Sequence, residues 1–246
     1  MKANLYDILK NKNRGIGILI DPDKTAEEQQ ILLLLKKIAL LQPSFILIGG
    51  SSVATKDFNT CIALIKAHSN IPTLLFPGAA NQISDLADGI LFLSLISGRN
   101  PDFLIGHQVE SAHLLKKMDL QIIPTGYLLV DGGKPSSASY MSQTTPIPSD
   151  QNTIAVNTVI AGEMLGLKAF FLDAGSGANI PVKPEMIRAI RKQTKLPLII
   201  GGGIKSIEEI ELAFDAGANL VVIGNRIEED MDFILDIHNL LQKKTT

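Results

Sequence analysis

Three consecutive glycines, Gly201, Gly202 and Gly203, follow the apolar run 196–200, and Gly224-Asn225 follows the apolar run 220–223. Glycine buries no side chain and costs backbone entropy. A glycine cluster directly after a buried run therefore suits a place where backbone N–H groups approach an anion. Glycine loops after the last two strands of a (β/α)8 barrel form such a phosphate pocket, and helix N-termini add partial positive charge to it. The chain is expected to handle a phosphorylated small molecule. Two carboxylates stand in comparable places. Asp173 opens Asp173-Ala174-Gly175-Ser176-Gly177, where glycines admit a ligand and the carboxylate is suited to orient or deprotonate a hydroxyl; a tight turn closed by an Asx bond is the alternative. Asp21 ends the apolar run 15–20, and an ionised carboxylate there needs a cation or hydrogen bonds. With the hydroxyl of Ser51 it makes a hard-oxygen pair suited to Mg2+, which shares its sites with substrate phosphates. Capping of the next helix is the other reading of Asp21, and both stay open.

Eight short apolar runs rich in Ile, Leu and Val have the pattern of buried parallel strands: residues 15–20, 45–49, 73–76, 90–95, 121–130, 169–172, 196–200 and 220–223. Helical patterns separate most of them, over 25–41, 57–68, 103–118, 152–165, 184–194, 206–216 and 231–241. Thr25 is the expected N-cap of the first of these, and Ser206 with Glu209 has capping-box spacing. Strict alternation with eight units predicts a single-domain α/β fold, a TIM (β/α)8 barrel. Its third helix is weak or missing, because residues 81–87 hold only about two turns. Residues 131–150 read as a long polar loop, which in a compact domain is functional or mobile. Glu228-Glu229-Asp230 is expected to favour the start of the last helix.

The 246 residues suit one such barrel, and a 46% hydrophobic content can fill its core. A net charge of -2 argues against a nucleic-acid footprint. One cysteine, Cys61, excludes an internal disulfide framework and is expected to pack in a helix. No long apolar segment suggests a signal peptide or membrane span, so a cytoplasmic location is expected. His68, His113 and His238 lack metal-ligand spacing; His107 is more ambiguous, early in the helix after the fourth strand.

The motifs IDPDK (20–24), IGGSS (48–52), FPG (76–78), GYLLVDGGK (126–134), FLDAGSGA (171–178), GGGIKS (201–206) and GANLVVIGNRIEED (217–230) span nearly the whole chain. In this order they resemble the geranylgeranylglyceryl phosphate synthase family, which includes bacterial heptaprenylglyceryl phosphate synthases. The resemblance implies a Mg2+-dependent prenyltransferase joining sn-glycerol 1-phosphate to a polyprenyl diphosphate, assembled as a dimer or hexamer. By motif, Asp21 and Ser51 match metal-binding positions. Phe171, Leu172, Asp173, Ala174, Gly175, Ser176, Gly177, Gly202, Gly203, Gly224 and Asn225 match the glycerol-phosphate site. A thin outer layer beside the third and fourth strands would suit the prenyl chain, so Leu74, Leu91, Leu93 and Phe103 are expected to line its groove; from composition alone they read as ordinary core.

Three departures stand out. Phe171-Leu172-Asp173 replaces the Tyr-Leu-Glu common in the family, which shortens the carboxylate by one methylene and removes a hydroxyl that Tyr127 is placed to supply. Tyr127 therefore joins Asp173 as a candidate catalytic residue. Leu19 stands where some bacterial members carry Lys. Many members carry Trp near the groove; this chain has none and offers Phe103. A geranylgeranyl donor is expected, with a longer one such as heptaprenyl as the alternative. Competing readings are another phosphate-handling barrel enzyme, such as an aminoaldose-phosphate isomerase or thiamine phosphate synthase, and a non-catalytic lipid or phosphate binder. The isomerase would want a carboxylate on the fifth strand, which ends in Gly126-Tyr127 with none before Asp131.

Overall fold

Each apolar run forms a strand: β1 Gly15–Ile20, β2 Phe45–Ile48, β3 Thr73–Leu75, β4 Gly89–Leu95, β5 Gln121–Leu129, β6 Ala169–Asp173, β7 Leu198–Gly201 and β8 Leu220–Ile223. The computed structural model describes residues 4–11, 14–24, 28–50 and 55–243. Neighbouring strands pair in parallel, and β8 closes on β1 from Gly15↔Leu220 to Ile18↔Ile223. The result is the expected (β/α)8 barrel. Side chains alternate across each strand. Phe45 and Leu47 fill the barrel interior, while Ile46 and Ile48 meet the outer helices.

Helix α1 (Leu5–Asn11), absent from the sequence reading, plugs the barrel floor with Leu5 and Leu9. The Leu5 N–H donates to Gln121 Oε1 at 2.8 Å. The outer layer contains α2 (Glu28–Leu41), α3 (Thr55–His68), a π-helical turn (Asp102–Gly106) running into α4 (His107–Leu115), α6 (Asn152–Met164), α7 (Pro184–Arg191), α8 (Ile207–Asp215) and α10 (Phe233–Lys243). Ser206 and Glu209 form the expected capping box on α8. The expected N-cap Thr25 lies outside the described residues. No helix among the described residues is long and apolar enough to cross a membrane.

Two segments correct the sequence reading. Residues 131–150 hold a short helix, α5 (Ser137–Ser142), capped reciprocally by Ser136 and Ser139. A bridge from Val130 to Ile147 ties the end of the segment to the sheet. The serines that suggest loop are here the capping groups. Glu228 and Glu229 belong to a separate helical turn, α9 (Asn225–Glu229), and do not begin α10.

No helix follows β3, as expected. Strands β3 and β4 pair only at Leu74↔Gly89 and Leu75↔Ile90, so other bonds hold this side. Asp88 accepts from the Thr73 N–H (2.8 Å), the Thr73 hydroxyl (2.9 Å) and Lys66 Nζ (2.8 Å). At the opposite end Gln82, only 1% exposed, accepts from the Gly78 N–H and donates to the Gly50 carbonyl, both at 2.9 Å.

Burial opposes ionisation of Asp88, but hydrogen bonds from Lys66 and Thr73 outweigh it and hold the carboxyl below its ordinary value. Such a group stabilises above its unfolded pKa of about 3.9, and the contribution is lost as pH falls through the lower folded value. Asp88→Asn is expected to cost about 1–3 kcal/mol at neutral pH, measured by urea unfolding. The gap from wild type should narrow below about pH 4. Equal midpoints at neutral pH would show that the bonds of Asp88 do not hold this side of the barrel.

Candidate active site

Loops leaving the strand C-terminal ends surround one cavity of about 590 Å3. Its floor is aromatic. Phe76 stacks on Phe171 at 4.8 Å between ring centroids, and Tyr127 meets the Phe171 ring edge-on at 5.8 Å. Above the floor, Tyr127 Oη donates to Asp173 Oδ2 at 2.5 Å, and the Gly175 N–H donates to Asp173 Oδ1 at 2.7 Å. Burial pushes the Asp173 carboxyl up, and these two bonds pull it part of the way back. Burial and the adjacent carboxylate push the Tyr127 phenol well up, so the phenol keeps its proton and acts as a donor.

The glycine loops close around this carboxylate. Gly202 has φ +76°, in the left-handed region open to glycine. A Cβ on Gly202 would collide with Asp173 Oδ1 and come within 2.6 Å of the Gly175 nitrogen. Any side chain would therefore occupy the space between the loops after β6 and β7. Gly203 and Gly224 border the same space. Asn225 Oδ1 accepts from the Ser176 hydroxyl at 2.9 Å, joining the loops after β6 and β8. The arrangement gathers glycine loops and short polar side chains around one concavity, a composition suited to an oxyanion.

Asp173, Ser176, Gly177, Gly202, Gly203, Gly224, Asn225, Tyr127 and Phe171 all line the cavity, as do Asp21, Leu93 and Phe103. Five positions need correction. Leu172 and Ala174 point into the shell between barrel and helices, and Gly175 reaches the site only through its N–H. Leu74 and Leu91 are fully buried in the barrel interior. Alternation along β4 explains the last point: Leu91 faces inward, whereas Ile90 and Phe92 face outward where a third helix would pack. Those two, with Ile83, Phe103 and His107, form an apolar groove continuous with the mouth. The ring of Phe103 stands edge-on to His107 at 4.9 Å. The π-helical turn beside it is a form enriched at functional sites.

Asp21 faces the cavity from the end of β1. Its Oδ1 accepts from the Asp23 N–H at 3.1 Å, and Lys24 Nζ lies 4.0 Å from Oδ2. Lys24 pairs more closely with Glu228, at 2.8 Å. Burial raises the Asp21 pKa against the lowering effects of Asp23 and Lys24. Ser51 lies outside the described residues. The sequence reading missed Lys24, Lys134, Lys205, Arg226 and Glu228 as cavity residues; the glycine pair before Lys134 was the signal that could have pointed to it.

Glycine loops and an ordered carboxylate gathered at the strand C-terminal ends place the chain in the class of (β/α)8 barrels with a site at the C-terminal mouth. Within that class the chain belongs to the PcrB family, whose model matches residues 6–241. It is 45% identical over 241 residues to the geranylgeranylglyceryl phosphate synthase of Chitinophaga pinensis, covering 96% of this chain and 95% of the relative. The enzyme of the same name from Korarchaeum cryptofilum is 38% identical over 229 residues, 92% of each. The crystal structure of (S)-3-O-geranylgeranylglyceryl phosphate synthase from Thermoplasma acidophilum, with its substrate sn-glycerol-1-phosphate, superposes with a TM-score of 0.91, 28% identity and 98% coverage of each chain. Thiamine phosphate pyrophosphorylase from Pyrococcus furiosus, at 11% identity and a TM-score of 0.58, shares the fold alone.

The Tyr127 bond favours the ionised form of Asp173. Tyr127→Phe removes it and is expected to raise the Asp173 pKa further, so the acid limb of kcat/KM moves to higher pH. A limb that stays in place in the folded variant would show that Asp173 ionisation does not control turnover.

Proposed function

We propose that this chain is a prenyltransferase that joins sn-glycerol 1-phosphate to geranylgeranyl diphosphate, giving 3-O-geranylgeranylglyceryl phosphate and diphosphate. The observation that carries the reading is one cavity combining the glycine-built anion cradle of β6–β8 with the apolar groove outside β4. The names of the full-length relatives agree with it.

In the reaction the cradle fixes the acceptor phosphate and turns two reactants into one positioned pair. The groove takes the prenyl chain, contributing about 0.8 kcal/mol per buried CH2. The acceptor C3 hydroxyl oxygen bonds to prenyl C1 as the bond from C1 to the diphosphate oxygen breaks. Diphosphate leaves with the bonding electrons, and Asp173 orients the hydroxyl and accepts its proton. Tyr127 and Gly175 keep the carboxylate aimed.

Mg2+ belongs to the proposal. Among the described residues no three His, Cys, Asp or Glu gather into a metal cage, but Mg2+ takes one or two carboxylates and completes its shell with substrate phosphates and water. Asp21, a cavity carboxylate destabilised by burial, fits that shared arrangement, with Ser51 as its proposed partner. Bound there, the ion would neutralise charge on the departing diphosphate. The proposal includes a homo-oligomer, supported by exposed Met164 (82%) and Leu165 (80%) at the end of α6; a light-scattering mass of one chain would remove that part.

Product mass spectrometry with sn-glycerol 1-phosphate and a panel of polyprenyl diphosphates tests the reaction. The ether product is expected from wild type with Mg2+, and its absence with every donor would overturn the reading. In the same assay Asp21→Asn is expected to lose about 100-fold or more in turnover, a typical effect of removing one electrostatic stabiliser, with acceptor affinity nearly unchanged. Phe103→Ala should raise heptaprenyl relative to geranylgeranyl transfer by lengthening the groove. An unmoved ratio in a folded variant would place the limit on donor length elsewhere.

A further inference from the structure

Four cationic residues, Lys24, Lys134, Lys205 and Arg226, line the cavity among the described residues. Lys24 pairs with Glu228 at 2.8 Å, and Arg226 pairs with Asp230 at 3.1 Å. Lys205 Nζ donates to the Asn179 carbonyl at 3.4 Å. Among the described residues Lys134 has no hydrogen-bond or ion-pair partner, and it is exposed at the cavity rim. Its ammonium lies against the anion cradle: a Cβ built on Gly177 would stand 3.2 Å from Lys134 Nζ and 4.0 Å from Asn225 Nδ2.

This position is built by the fold. A Cβ on Gly132 would strike the Ala174 carbonyl and the Ala178 methyl, so the loop after β5 sits directly on the loop after β6. The Gly132 carbonyl accepts from the Asn179 N–H (2.8 Å) and the Ile180 N–H (3.2 Å). Asn179 Nδ2 donates to the Gly133 carbonyl at 3.1 Å, and the Gly133 N–H donates to Asp131 Oδ1 at 2.9 Å. Gly133 takes φ +79°, which turns the chain toward the cavity at Lys134. The cradle otherwise offers neutral N–H groups and the side chains of Ser176 and Asn225, whereas a phosphate monoester carries about -1.5 to -2 charges at neutral pH.

We propose that Lys134 is a binding residue for the acceptor's phosphate, supplying the positive charge that the glycine cradle lacks. This rests on the proposed transferase reading, with the donor diphosphate placed on the Asp21 side. A long, exposed lysine loses side-chain entropy when it is fixed, so the gain appears when a dianion takes all of its donors.

The test measures sn-glycerol 1-phosphate and inorganic phosphate binding by calorimetry, and steady-state kinetics in both substrates, for wild type, Lys134→Met and Lys134→Arg. Charge-assisted hydrogen bonds predict about a tenfold or greater loss of affinity for both anions in Lys134→Met. The KM for acceptor should rise in parallel, with donor KM and kcat within about twofold. Lys134→Arg should recover most of the affinity, because it restores charge without the same shape. Wild-type affinity should also fall more steeply with salt than that of Lys134→Met. Acceptor affinity unchanged in Lys134→Met overturns the proposal. A rise in donor KM with acceptor KM unmoved also overturns it, assigning the ammonium to the diphosphate. A wild type that binds acceptor but forms no ether product overturns the transferase reading and leaves Lys134 to be judged on the binding data. A wild type that binds neither anion overturns both.

Discussion

A closed parallel barrel has no free strand edge, so every strand must find cover for its outer face from the connection that follows it. Seven connections supply a helix or helical segment, and the one after β3 does not. On the outer face of β4, Phe92 is left partly uncovered next to the mouth where polar loops converge, while Ile90 stays buried beneath it. One omission thus joins an apolar groove to a polar cradle. An amphiphilic reaction, with an isoprenoid on one side and a phosphate ester on the other, needs both in contact. The omission also leaves β3 and β4 short of mutual support. Asp88 ties the start of β4 to Thr73 of β3, and Gln82 ties the connecting loop to Gly50 after β2.

At the mouth the structure keeps one carboxylate aimed into the cavity. Asp173 sits at the last residue of β6, paired with Gly201 across the strand and held by Tyr127 from the adjacent β5. Its acceptor sites are partly filled by the protein, so a substrate hydroxyl meets an oriented lone pair. Phe171 stacks under the site, and Tyr127, one strand away on β5, brings its phenol to Asp173.

The sequence was most legible where a single physical demand acts. Buried strands require continuous apolar runs, and seven of the eight expected runs fall within one residue of the strands at both ends; the seventh strand begins at Leu198, two residues into its expected run. The missing helix could be read because 81–87 is too short to hold one. Inside and outside could not be told apart along β4, because in a barrel both faces are apolar; Leu91 and Phe92 differ only in which side the pleat puts them. Residues 131–150 misled for a related reason. Serine and glycine signal loop in isolation; here Ser136 and Ser139 cap a short helix, and Gly132 and Gly133 dock on Ala174, Ala178, Asn179 and Ile180. Helix α1 was missed because a short plug owes its stability to the barrel floor, not to its own propensity.

That docking changes how the site should be pictured. The loop after β5 carries Lys134 toward the phosphate cradle, then Ala138, Met141 and Ser142 of α5 along the same cavity. A few residues earlier, β5 carries Tyr127 to Asp173. One continuous segment therefore touches the Asp173 carboxylate, the glycine loops and the approach to the groove. Its anchor is a pair of glycines pressed against the β6 loop, where the Ala174 carbonyl leaves no room for a methyl group at position 132. The glycines after β7 give the anion access; the glycines after β5 give one loop access to another. The same lack of a side chain thus serves ligand approach in one place and registration of the catalytic parts in the other.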